Sequence, residues 1–102
     1  MPPTTFAVCN DVNTTSGGTF TWVNPYPEEV KIEPSPVGST WPLTQPFYIV
    51  PKNNGQTPAT VNQGTPNGTW PITVKYNTST GGNPCATRKT GNPKILVGTS
   101  RP

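Results

Sequence analysis

Within several short segments of this chain apolar residues fall at every second position, and turn residues separate those segments. Period-two alternation is the pattern of a strand that buries one face, because successive side chains of an extended chain point to opposite sides. "TTFAVC" (4–9) puts Phe6 and Val8 on one face, and "NTTSGG" (13–18) reads as the turn leading out of it. "TFTWVN" (19–24) sets Phe20 and Trp22 against Thr19, Thr21 and Val23, after which "PYP" breaks the strand. In "EEVKIE" (28–33) Val30 and Ile32 face inward, while Glu29, Lys31 and Glu33 form a solvent face of alternating charge.

The next segment, "PSPVGSTWPLTQP" (34–46), holds four prolines and is excluded as a central strand, since each proline lacks the ladder donor. "FYIVP" (47–51) resumes extended structure, and "KNNGQ" (52–56) is a turn. "TPATV" (57–61) is a short strand that must lie at a sheet edge if Pro58 belongs to it. "GTWPITVKY" (68–76) places Trp70, Ile72, Val74 and Tyr76 on one face. After the loop "NTSTGGNPCATRKTGNP" (77–93), "KILVG" (94–98) closes the domain. About seven short strands at this spacing predict an all-β, two-sheet Greek-key sandwich.

Composition changes this picture in two ways. A length of 102 residues suits a single domain spanning 1–102. Fifteen Pro and ten Gly beside 29% hydrophobic residues approach the composition of chains that do not fold, and it is the grouping of the apolar residues that argues for a core. Nine Val, four Ile and eighteen Thr against two Leu and three Ala favour pleated structure and leave no helix of useful length. The net charge is +3, with all four acids between Asp11 and Glu33 and most bases after Lys75. That is too thin a basic face for nucleic acid. No apolar run is long enough to cross a membrane as a helix.

Two cysteines and no histidine are a poor metal set but suffice for one Cys9–Cys85 disulfide in an oxidising compartment, the alternative being two unpaired thiols. Met1 leads directly into Pro2, so either the chain is made without a signal peptide or Met1 stands where one was removed. An extracellular, periplasmic or cell-surface location follows from the disulfide; a virion surface would accommodate a native Met1.

The segment order resembles the cupredoxin-like sandwich. "GTFTWVNPYPEEVKIE" is similar to that family's Gly-x-x-V-x-W-x-N strand and the segment carrying its first copper-binding His, "GTWPITVKY" to its Gly-Thr-Tyr strand, and "NPKILVG" to its last strand. The likeness covers roughly 17–33 and 67–98; an immunoglobulin-like topology fits the same strands. Copper in the family is held by two His, a Cys and usually a Met. Here the first His position falls on Glu28 and the Cys position on Val74, and the ligand loop carries Cys85, Arg88 and Lys89. The resemblance therefore implies the architecture without the metal or the electron transfer.

Other chemistry is equally sparse. Glu28 and Glu29 are chain neighbours that project to opposite faces, and without His a Ser or Cys nucleophile has no ready base, so no catalytic residue, metal site or cofactor is expected. Asn13, Asn67 and Asn77 each begin an Asn-x-Ser/Thr sequon and are expected at turns, as possible glycosylation sites. Trp22 and Trp70 read as core. Tyr26, Trp41, Phe47 and Tyr48 surround the proline-rich segment, either as an exposed aromatic patch or as a loop folded back over one end of the sandwich. The expected function is a non-catalytic structural or interaction module acting by contacts with a protein partner or with copies of itself. The alternative is a carbohydrate- or small-ligand-binding domain that uses the aromatic group.

Overall fold

The computed structural model describes residues 4–78, 81–85 and 93–98. Eight strands run in chain order as β1 (Thr5–Ala7), β2 (Val12–Thr14), β3 (Thr19–Asn24), β4 (Val30–Pro34), β5 (Tyr48–Val50), β6 (Gly55–Thr60), β7 (Gly68–Tyr76) and β8 (Lys94–Val97). They form two packed sheets, β1-β3-β6 and β2-β8-β7-β4-β5, so the chain is an all-β two-sheet sandwich. The chain changes sheet at β1–β2, β2–β3, β3–β4, β5–β6 and β6–β7. β1 pairs parallel to β3 and β2 parallel to β8, while the other pairings are antiparallel.

Alternation places most of the core as the sequence implies, but Trp70 and Tyr76, expected on the inward face, are only partly buried and pack against it. Phe20 and Trp22 of β3, Val30 and Ile32 of β4, Ile72 and Val74 of β7, and Ile95 and Val97 of β8 are all buried. Aromatic rings run through this core as a ladder: Phe6 to Phe20 at 6.1 Å, Phe20 to Trp22 at 4.8 Å, Trp22 to Tyr48 at 5.5 Å and Tyr48 to Trp41 at 5.9 Å between centroids. Most meet edge to face, the arrangement that the ring quadrupole favours. Among the described residues the buried Trp22 indole N–H has no hydrogen-bond partner.

Three local expectations are corrected. The turn expected over 13–18 begins later, because Val12–Thr14 form β2 beside β8, with Val12 fully buried. The turn at 52–56 is tighter. Asn53 and Asn54 have φ of 58° and 67°, and Gly55 N–H donates to Lys52 O at 3.2 Å, a type I′ arrangement that already delivers Gly55 into β6. A Cβ at Gly55 would lie 2.5 Å from Pro51, so close approach of the chain demands glycine there. Glu33 is not solvated: it is 7% exposed, with its carboxylate 3.1 Å from Lys75 Nζ and 3.9 Å from Lys31 Nζ. Lys75 reaches it as a diagonal neighbour, because the register sets Glu33 opposite Thr73.

Proline shapes the edges as expected. Pro58 sits in β6, the outer strand of the smaller sheet beside β3. Pro34 ends β4 opposite Ile72, beyond the stretch that β5 covers on the other side. The seam between β5 and β6 is closed by side chains: Thr57 Oγ1 donates to Ile49 O at 2.6 Å, and Asn24 Nδ2 donates to Val50 O at 3.2 Å. Farther along, Thr44 N–H donates to Thr60 O, and Leu43 bridges Val61. Backbone groups that would otherwise template another strand are thus occupied.

Asn24 is the pivot of this closure. It occupies the inward-facing position after Phe20 and Trp22, is fully buried, donates from Nδ2 to Glu28 O (2.8 Å) as well as Val50 O, and accepts from Tyr26 N–H at Oδ1 (2.9 Å). Asn24→Ala is expected to cost about 2 to 4 kcal/mol, since it strands several of these backbone groups at once. Urea denaturation checks this, as a lower midpoint at unchanged slope.

Candidate functional site

The proline-rich connection between β4 and β5 is where the fold leaves its regular pattern. With no donors at Pro34, Pro36, Pro42 and Pro46, the segment makes turns instead of a ladder. Ser39 N–H and Oγ both donate to Pro36 O, at 3.0 and 2.6 Å, and Gly38 takes a φ of +87°. A positive φ at the third residue is the signature of a type II turn and suits glycine. Val37 stands at the tip of that turn, 61% exposed. Phe47, directly before β5, is 42% exposed, with Lys31 Nζ 4.6 Å from its ring centroid.

Between these two lies the part that folds back. Trp41 and Leu43 are buried at 7% and 4% exposure, and the Trp41 indole N–H donates to Gln45 O at 2.8 Å. Asn62 ties the connection to the β6–β7 loop, its N–H donating to Pro42 O and its Nδ2 to Leu43 O. A shallow, open cleft of about 270 Å³ remains, lined by Pro34, residues 38–41 and residues 43–46.

The four aromatic residues singled out in the sequence therefore do not form one exposed surface. Trp41 and Tyr48 are core, the end-capping arrangement, and only Phe47 presents its ring substantially to solvent. Tyr26 lies at the other end of β3, half-buried, 6.1 Å from Tyr76 and with its hydroxyl 3.4 Å from Cys9 Sγ. Burial pushes the Tyr76 hydroxyl above its ordinary pKa, with Tyr26 and the Glu28 carboxylate adding to the shift.

Cys9 and Cys85 form a disulfide with Cα atoms 5.3 Å apart, joining the β1–β2 connection to the β7–β8 loop. Of the positions matched to copper ligands, Glu28 is exposed, Val74 is in the core and Cys85 is in the disulfide, while Arg88 and Lys89 lie outside the described residues. Among the described residues no three His, Cys, Asp or Glu side chains gather as a metal site.

The sequons differ in setting. Asn13 is exposed but lies within β2 and not at a turn. Asn67 is exposed in the β6–β7 connection, followed by exposed Gly68 and Thr69. Asn77 donates from Nδ2 to Glu29 Oε1 at 2.7 Å, and its Ser79 lies outside the described residues. The positions that sequence reasoning missed are Asn24 and Thr57. Asn24 did carry a signal, a polar residue at inward parity directly before a proline. Compared with family models, curated proteins and solved structures, the chain matches none.

Proposed function

We propose that this protein is a non-catalytic sandwich module that works by protein contacts through its proline-rich connection. The observation that carries this is the location of the exposed large apolar side chains: among the described residues these are Val37 and Phe47, and both flank the same connection. The hydrogen bonds that close the β5–β6 seam support contact by this loop surface over strand addition at that edge. On this reading the scaffold is a cupredoxin-like sandwich without the metal: of the positions matched to copper ligands, Val74 serves packing, Cys85 a disulfide, and Glu28 is exposed. The disulfide supports work in an oxidising compartment, outside a cell, in a periplasm or on a cell or virion surface.

A small-ligand reading draws on the cleft beside Trp41. Against it, an indole that is 7% exposed offers little ring face for a sugar to stack on.

Sedimentation velocity over a concentration series separates the two. The expected result is concentration-dependent self-association that Val37→Ser with Phe47→Ser abolishes, with the melting temperature within a few degrees of wild type. A strictly monomeric wild type whose tryptophan fluorescence responds to a glycan panel would overturn the contact reading.

A further inference from the structure

Asparagine followed by glycine occurs twice in the chain, at Asn54-Gly55 and Asn67-Gly68, and the fold treats the two very differently. Such pairs are the chemically weak points of a polypeptide, because a residue without a side chain leaves its backbone nitrogen free to approach the preceding amide.

Asn54-Gly55 is held through its backbone, although the Asn54 side chain is exposed. Asn54 N–H donates to Asn24 O at 2.7 Å, Gly55 N–H donates to Lys52 O at 3.2 Å, and the Gly55 Cα is packed against Pro51. Asn54 is also fixed at positive φ within the type I′ turn. Rotation of this peptide into an attacking geometry requires opening the turn and the start of β6. Asn67-Gly68 is confined on one side, where the Trp70 ring would meet a Cβ at Gly68 at 3.2 Å. Both residues are exposed, Asn67 lies outside any strand, and Gly68 is the terminal position of the β7–β8 ladder, opposite Val97 at the end of β8. Ladder ends open at little free energy, whereas interior turns buttressed by hydrogen bonds open rarely.

We propose that Asn67 is a site of spontaneous self-modification in the folded protein, proceeding through a cyclic imide. The Gly68 backbone nitrogen attacks Asn67 Cγ, forming the N–Cγ bond. The Cγ–Nδ2 bond breaks, and Nδ2 leaves as ammonia carrying the proton released from the Gly68 amide. Water then opens the imide at either carbonyl, giving aspartate or isoaspartate. The sum is one water consumed and one ammonia released, with no change of oxidation state. The product carries one new negative charge in a chain of net charge +3 and no longer presents the Asn67-Gly68-Thr69 sequon.

The test is incubation of the full-length folded protein at physiological pH and temperature, followed by digestion after lysine and tandem mass spectrometry. Lys52 and Lys75 bracket one peptide carrying both asparagines, so a single spectrum compares them. The expected result is a gain of about 1 Da at Asn67, with isoaspartate, at least about tenfold faster than at Asn54. In denaturing urea the two rates should converge, and Asn67→Ser should remove the fast mass gain while the protein stays folded. Equal rates at the two positions in the folded state, or no change at Asn67 on the timescale on which urea-unfolded protein reacts, would overturn the assignment.

Discussion

Replacing Cys9 and Cys85 together by alanine is expected to lower the free energy of unfolding by about 4.5 kcal/mol, because the bond closes a loop of 76 residues in the unfolded chain. Cys85 is fully buried and Cys9 nearly so, and both belong to the core cluster. Alanine keeps the site apolar, so most of the change acts through the freedom of the unfolded state. The crosslink matters more here than in an average domain, since two Leu and four Ile leave few large aliphatic side chains to bury. For a domain of this size the melting temperature should fall by roughly 20 to 30 °C. Calorimetry of the wild type and the double variant measures it. A fall of only a few degrees would mean that the β7–β8 loop is held as firmly without the bond.

Trp41→Ala should destabilise by about 3 kcal/mol, the lower part of the range for truncating a buried aromatic residue. The indole is packed on Tyr48, and its N–H holds Gln45 O, so truncation opens a cavity and frees a carbonyl together. Phe47→Ser, six residues away in sequence, should cost about 1 kcal/mol or less, since that ring is substantially exposed and its defined partner is the Lys31 ammonium. Urea titration of the two variants side by side tests the division of the connection into a buried middle and exposed flanks. Equal effects would contradict it.

Most of what was legible in the sequence was parity. β3, β4, β7 and β8 each carry two or more large apolar residues at alternate positions, and such a run fixes a strand and its inner face without reference to anything distant. β2 was not legible, because Val12 is its only buried residue and Asn13, Thr14 and Thr15 look like the turn that follows. What makes it a strand is parallel pairing with Ile95, Leu96 and Val97, more than eighty positions away. The alternation of β4 sets Glu33 on its outer face, yet nothing in the sequence signals that Lys75 crosses from β7 to cover it.

The candidate site divides along the same line. That residues 34–46 would be irregular follows from four prolines, whose missing donors are a property of each residue alone. Which of its aromatic residues would be buried does not, since a segment without a period has no inner face until something packs against it. The hydrogen bonds of Asn62 to Pro42 and Leu43 and the tilted contact of Trp41 with Tyr48 decide that Trp41 turns inward and leaves Val37 and Phe47 outside. Tyr26 is near them in sequence, but the length of β3 carries it to the far end instead. The sequence by itself determined the strands whose periodicity is local, the edge position of the Pro58 strand and the identity of the two cysteines available to pair. Only the tertiary structure decided the parallel pairings, the capping of the seam by Asn24 and Thr57, and the division of the aromatic group. Each of those rests on contacts between segments whose separation along the chain carries no information about their distance in space.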